Sequence, residues 1–486
     1  MFQGITDRFG DKMKIKLGLG KIRMEDVARF CSGELYDYTK NSDASAEFVC
    51  TDSREADVDT LFVATRGERV DGHDYIVGAL DRGCRCVLCE YVPAGIAGRE
   101  AAFVVVENSI DAFALTARGY RERKPLKTVA LTGSVGKTTT KELTASILQR
   151  ETKLYATSGN FNSVIGMPMS LMEAPCDRDT AVFEMGMSSP GEIRSMTHAA
   201  TPDIAMVINV GSSHLEYLKT RDNIAKAKLE IAEGLKDGGI LLLNGDEPLL
   251  RKYVKKGKYS IIYVGIENTK NCDIYAENIF VGNRSTSFDL CFKGRMIRSL
   301  KFNILGKKFV YNAAFAASAA LLLGASEDAV RRGLEEYLPS EMRQSISEKN
   351  GITVIADCYN SAPESVRAAI DTLSSLEVQG KRIAVLGDMR ELGADSDNMH
   401  REVGEYVAKN GVDVLLTLGE SGAYIAEGAI RCGMNAHCVF VERDTDNIEM
   451  LCLEIENNMS KGDAVLFKAS RSLRLERAIE RLFGAK

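Results

Sequence analysis

Thr132-Gly133-Ser134-Val135-Gly136-Lys137-Thr138-Thr139-Thr140-Lys141-Glu142 is the stretch on which the fold turns. A short apolar run, 128–131, precedes it and a segment of helical periodicity follows, so it reads as strand, glycine-rich loop and helix. Glycines at 133 and 136 let the backbone curl with its N–H groups inward, while the following helix points its positive end at the same spot. An anionic phosphate belongs there. Lys137 is placed to reach the β- and γ-phosphates and Thr138 to offer its hydroxyl to Mg²⁺, with Ser134 and Thr139 completing the loop. The spacing of the glycines departs from the commonest phosphate-loop form and points to a subset of phosphate-loop enzymes. The chain is expected to handle a nucleoside triphosphate.

At 486 residues the chain exceeds what one hydrophobic core organises, so two to three domains are expected. Its 45% apolar and 27% charged residues are those of an ordinary globular protein. A net charge of −6 gives no electrostatic reason to bind nucleic acid or an anionic membrane. No apolar run approaches the roughly 18–20 residues that span a bilayer, and residues 1–16 carry scattered charges where a signal peptide has an apolar core. A cytoplasmic location, no membrane insertion and a monomer are the expectation. Twelve cysteines, mostly isolated in apolar surroundings, read as reduced thiols. The cluster Cys84, Cys86 and Cys89 could ligate a metal only with a fourth ligand, for which His73 is the nearest candidate; buried structural thiols are the preferred reading.

Three α/β segments follow from the rhythm of apolar runs. Residues 1–124 hold strand-like runs at 61–65, 85–90 and 103–107, and end in the polar sequence 121–125, read as a linker. Residues 125–339 open with the phosphate loop and carry runs at 180–184, 204–210, 240–244 and 261–264, then a polar-alternating antiparallel patch at 273–302 and an alanine-rich helix at 312–323. Residues 340–486 hold five runs, at 352–356, 382–386, 414–418, 438–441 and 464–467, separated by helix-length stretches. This is the pattern of an open, mainly parallel sheet of dinucleotide-fold type, whose ligands lie at the carboxyl ends of its strands.

Polar residues just past those strands are the candidates for chemistry. Glu184 ends a buried-looking strand beside the phosphate loop, where Mg²⁺ coordination is wanted. Asn160 and Asn162 sit in a loop whose carboxamides can orient an anion, although asparagine is common in turns for local reasons. His214 follows the strand-like run 204–210 through Gly211, Ser212 and Ser213. Lys226 and Lys228 lie on a helix, where lysines are ordinarily solvated.

The whole set of motifs resembles the Mur ligases, from about Ile22 onward. Carrying the resemblance are TDSR at 51–54, LFVA at 61–64, GE at 67–68 and DGH at 71–73 in the first segment. TGSVGKTTTKE, GNFN at 159–162, EMG at 184–186, NVGSSHLE at 209–216 and AKLEI at 227–231 carry it in the second. Arg343, DCYNSAP at 357–363, GDMRELG at 387–393, His400 and Lys468 with Ser470 and Arg471 carry it in the third. The resemblance implies a small UDP-binding domain, a central phosphate-loop ATPase domain and a C-terminal Rossmann-like domain.

It also implies roles. Lys137, Lys228, His214 and Glu184 would be catalytic. Gly133, Ser134, Gly136, Lys137, Thr138 and Thr139 would hold ATP, with Asn312 at adenine, Asp357 at ribose and Arg343 near the γ-phosphate. Thr138, Glu184, His214 and a carbamylated Lys228 would hold Mg²⁺. Ser53, Arg54, Gly67, Asp71, His73, Asn160 and Asn162 would bind the UDP-linked peptide, and Asn360 and Ala362 the second substrate. The implied reaction is ATP-dependent formation of an acyl phosphate on a UDP-linked tripeptide, followed by attack of an amine, D-alanyl-D-alanine, in peptidoglycan precursor synthesis. Ser163, Ala362, Lys308 and Phe309 depart from the family pattern, so a ligase joining another amino acid or dipeptide to a carboxylate is the alternative.

Overall fold

The computed structural model describes residues 13–484 apart from 40–43, 68, 69, 97, 158 and 160, so Asn160 lies outside the described residues. Among the described residues three large sheets follow one another along the chain, with a two-stranded ribbon, Ile22–Arg23 against Ser45–Ala46, beside the first. The first runs Lys14–Lys16, Phe48–Cys50, Thr60–Val63, Cys86–Cys89, Ala102–Val105, Glu34–Asp37; the inner four strands are parallel and both edges antiparallel. Its edge strands are short and half-exposed, which is why they leave little periodicity in the sequence.

The central sheet has nine strands, and Lys127–Thr132, the strand feeding the phosphate loop, lies between Thr180–Glu184 and Ile204–Val207, parallel to both. That burial on both sides accounts for its unbroken apolar core. The antiparallel patch is present as Ile274–Val281, Thr286–Phe292 and Arg295–Phe302, and it continues the same sheet because Ile274–Val281 pairs in parallel with Ser260–Gly265. The alanine-rich helix Phe309–Leu322 packs on the phosphate-loop helix Lys137–Leu148, its buried alanines letting the two axes approach closely.

The third sheet contains the five expected strands in the order Ile352–Ala356, Ala464–Lys468, Arg382–Gly387, Val414–Leu418, Val439–Glu442, all parallel. A sixth, Ser345–Lys349, pairs antiparallel at the edge through a two-residue turn, Asn350-Gly351, with both residues left-handed.

Residues 121–125, read as a linker, lead from the helix Ser109–Glu122 to the strand Lys127–Thr132 and are tied down on the way. Buried Arg121 donates to the Ala174 carbonyl at 2.6 Å. One hydrophobic core runs from Ile15 through Phe113 and Met172 to Leu250, joining the first sheet to one face of the central sheet. The third sheet has cores of its own. No helix among the described residues is long and apolar enough to cross a membrane.

Candidate active site

The phosphate loop is held from behind. Asn209, two residues past the strand Ile204–Val207, accepts from the Ser134 and Val135 amides at 2.8 and 3.0 Å and donates to the Val135 carbonyl at 2.9 Å. Ser134 Oγ accepts from the Gly211 amide at 2.8 Å. Gly136 adopts φ +77°, and a Cβ there would lie 2.3 Å from Asn312 Nδ2, so glycine is required both for conformation and for room. Asn312 donates to the Gly136 carbonyl at 3.0 Å and to Thr140 Oγ1 at 2.8 Å. The first turn of the helix Lys137–Leu148 has no side-chain cap, leaving its N–H groups for an anion.

Lys137 Nζ rests on the Gly133 carbonyl at 2.9 Å. Protein surrounds it although part of its surface opens to the cavity; burial depresses its pKa, against the opposing pull of Glu184. Thr138 Oγ1 donates to Glu184 Oε2 at 3.0 Å, and Asn162 Nδ2 donates to Glu184 Oε1 at 2.8 Å. Lys141, buried behind them, donates to the Thr157 carbonyl at 2.9 Å and stands 4.0 Å from Glu184 Oε2.

Lys228 is not the solvated helix lysine its surroundings in the sequence suggested. It is 1% exposed and has no hydrogen-bond or ion-pair partner among the described residues. Burial, with a contribution from the Lys137 charge, pushes its pKa well below the ordinary lysine value.

The third sheet closes this surface into a cavity of about 580 Å³, with phosphate-loop residues on one wall and Arg343, Asp357, Tyr359 and Lys468 on the other. Asp357 is a hub. Its carboxylate receives Lys468 Nζ at 2.7 Å and Gln344 Nε2 at 2.9 Å, fixing the segment that carries Arg343, whose guanidinium stacks 3.7 Å from the centre of the Tyr359 ring. Met342 and Gln344, flanking Arg343, are both left-handed, a local strain of the kind found at functional sites. Two contacts tie the halves together. Glu391 Oε2 lies 2.6 Å from His214 Nδ1, and Glu364 Oε1 accepts from Ser212 N and Oγ at 2.9 and 2.7 Å. The His214 contact holds the Glu391 carboxyl below its usual range.

Family models match in chain order: Mur ligase family, catalytic domain, at 45–121; Mur ligase middle domain at 131–320; and Mur ligase, glutamate ligase domain, at 342–471. A Bacillus subtilis UDP-N-acetylmuramoyl-tripeptide–D-alanyl-D-alanine ligase is 36% identical over 89% of this chain and 92% of its own length. The chain belongs to the Mur ligase family. The Escherichia coli enzyme of the same name is 31% identical to this Mur ligase over 95% of the chain and 98% of its own. Among solved structures, MurF from Acinetobacter baumannii superposes with a TM-score of 0.85 at 28% identity, covering 96% of this chain and 99% of that one. MurF ligase from Thermotoga maritima in complex with ADP gives 0.77 at 30% identity, covering 89% and 96%.

Of the residues expected in this Mur ligase from its sequence, Gly136, Lys137, Thr138, Thr139, Glu184, Asn312, Arg343, Asp357, Asn360 and Ala362 line the one cavity. Asn162, expected on the UDP-linked substrate, lines it too and is engaged with Glu184. Ser134 lines it as well, whereas Gly133, His214 and Lys228, and Ser53, Arg54, Gly67, Asp71 and His73, do not. Arg54 pairs with Asp52, and His73 is buried with Nδ1 2.6 Å from Asp71 Oδ1 and Nε2 accepting from the Glu90 amide at 2.9 Å. With both ring nitrogens engaged, His73 has none to offer a metal beside Cys84, whose thiol burial pushes up to about 11. Asn209, Lys141, Glu364 and Glu391 carry contacts that sequence reasoning did not assign. For Asn209 the available signal was its place just past a central strand; Glu391 lay inside a quoted motif with no role attached.

Proposed function

We propose that this Mur ligase joins D-alanyl-D-alanine to a UDP-N-acetylmuramoyl tripeptide with ATP cleaved to ADP and phosphate, in the cytoplasm, as a monomer of three domains, 1–124, 125–339 and 340–486. The observation that carries the reading is the Lys137, Thr138 and Glu184 constellation, roofed by Arg343 in a chain similar to ligases of that name along nearly its whole length.

A carboxylate is a poor electrophile, so the terminal acid of the tripeptide first takes the γ-phosphoryl group of ATP and the amine then displaces phosphate from the acyl phosphate. The phosphate-loop amides and Lys137 hold the triphosphate, and Arg343 neutralises charge on the transferring group from the opposite wall. Lys137 would exchange its bond to the Gly133 carbonyl for the phosphates. The donor set fits Mg²⁺: the Thr138 hydroxyl and Glu184 carboxylate are hard oxygens 3.0 Å apart, kept in place by Asn162 and Lys141. Bound Mg²⁺ would draw negative charge off the phosphates. Lys228 fits carbamylation, because only an uncharged amine adds to CO₂ and burial keeps this one uncharged; with His214 the product would offer a second set of cation ligands. Closure of the third sheet over the phosphate loop excludes the water that would hydrolyse the acyl phosphate. The UDP-linked end is carried by the first domain, away from the cavity.

Phosphate release measured with ATP, Mg²⁺ and the UDP-tripeptide should depend on added D-alanyl-D-alanine; release independent of it would contradict the reading. Ala362 on the cavity wall, where the family pattern has asparagine, favours as second reading a ligase for another amino acid or dipeptide. Mass spectrometry of products from a panel of amines separates the two.

A further inference from the structure

We propose that the cavity-facing side of the helix Pro363–Ser375 is the acceptor subsite, where Glu364 takes the ammonium group of the incoming amine and Arg367, one turn on, its carboxylate. The proposal rests on the ligase reading above and names the groups that select its second substrate.

An acceptor with a free carboxyl group arrives as a zwitterion, since an α-amine titrates near pH 7.7–8.0, roughly, in peptides. It must enter a cavity whose Lys137, Arg343 and Lys468 favour anions, so a carboxylate not already committed is needed. Most acidic side chains on the wall are committed. Glu184 serves Thr138 and Asn162, Asp357 serves Gln344 and Lys468, Glu267 pairs with Lys308, and Asp246 accepts from Tyr311 and three backbone amides. Glu364 differs. Its Oε1 is fixed by Ser212, while its Oε2 is buried and has no hydrogen-bond partner among the described residues.

Among the described residues, three other unpartnered polar atoms line the same cavity from the third domain: Ser361 Oγ and Gln344 Oε1, on residues only 4% and 6% exposed, and Arg367 Nε, whose guanidinium is anchored through Nη2 to Glu402 at 2.9 Å and so keeps one edge for a ligand. Buried polar atoms without partners are rare in folded proteins, and a group of four around one cavity marks groups that await a ligand. Residues 364 and 367 are neighbours on one helix face, about 5–6 Å apart at Cβ, comparable to the span between the charged ends of a dipeptide whose α-carbons are about 3.8 Å apart. A nucleotide presents no cation to such a face. Because Oε1 is held across the domain boundary by Ser212, the subsite is complete only when the third domain is closed, so the amine meets the acyl phosphate in a sealed cavity.

The test uses the full-length enzyme with ATP and UDP-tripeptide, comparing Glu364→Gln with wild type in two reactions. Hydroxylamine, small and uncharged at neutral pH, traps the acyl phosphate without needing the subsite; D-alanyl-D-alanine needs it. Glu364→Gln should raise the KM for the dipeptide at least tenfold relative to hydroxamate formation, with the KM for ATP unmoved. Arg367→Gln should remove the preference for the dipeptide over its C-terminal amide. A rise in the KM for ATP with no change in the KM for the dipeptide would make Glu364 only a tie between the domains and overturn the proposal, as would unchanged dipeptide kinetics in both variants. The same ratio is read with whichever amine wild type joins, so failure of wild type to use D-alanyl-D-alanine tells against the substrate named earlier, not against the subsite.

Discussion

His214 Nδ1 and Glu391 Oε2 meet at 2.6 Å across the boundary between the central and C-terminal domains, each carried by a residue with a left-handed backbone. The Glu216 amide donates to the Glu391 carbonyl at 3.1 Å beside them, so the loop 387–393 is docked by both side chain and backbone. Glu391→Gln keeps the backbone bond and weakens the side-chain contact. Since both side chains are partly exposed, the loss should be about 0.5–1 kcal/mol, a two- to fivefold fall in kcat/KM for ATP. Steady-state kinetics check this, and small-angle scattering of the nucleotide-free variant should show a larger radius of gyration than wild type.

Lys228 should carry a carbamate. With ¹³C-labelled bicarbonate, wild type should show a carbamate ¹³C signal that Lys228→Ala lacks, and the variant should lose roughly 10²–10³-fold in kcat. A variant with full activity would remove Lys228 from the chemistry.

Lys137→Ala should reduce turnover by about 10³-fold or more, the scale of a lost phosphate-stabilising cation. Binding of UDP-tripeptide by calorimetry should be retained, since of the residues proposed for that substrate Ser53, Arg54, Gly67, Asp71 and His73 do not line the cavity and Asn162 is held by Glu184, not by Lys137. Parallel loss of both would place the UDP-linked end in the phosphate-loop cavity.

His400 links stability to pH. Its Nε2 accepts from the Met389 amide at 2.9 Å, its Nδ1 donates to the Ser396 carbonyl at 2.7 Å, and burial lowers its pKa from 6.5. The folded state therefore binds this proton later than the unfolded state. Its contribution is complete above about pH 6.5 and is lost as pH falls below it, where the unfolded chain takes up the proton first. Urea midpoints for wild type should drop between pH 7.5 and 5.5 more steeply than those of His400→Gln.

Much of the fold was legible where strands are buried on both faces, as at 128–131, 180–184 and 464–467, because burial forces unbroken apolar runs. Edge strands were not, since Lys14–Lys16 and Glu34–Asp37 are short and half-exposed. Ser345–Lys349 is marked in the sequence only by the Asn350-Gly351 turn that follows it. On the site, Glu184 and Asp357, at the ends of parallel strands, line the cavity, whereas His214 does not. The state of Lys228 could not be read locally, because a helix lysine between Ala227 and Leu229, two residues from another lysine, looks solvated until tertiary packing covers it. Glu364 was equally silent, its meaning coming from Ser212, 152 residues away in sequence.

The central claim is that phosphoryl transfer from ATP activates the tripeptide carboxylate before the amine attacks. It is tested most directly with UDP-tripeptide carrying ¹⁸O in its terminal carboxylate. One ¹⁸O atom should appear in the inorganic phosphate released during ligation to D-alanyl-D-alanine, read by mass spectrometry or by the ³¹P isotope shift. Phosphate free of ¹⁸O, with ligation proceeding, would contradict it.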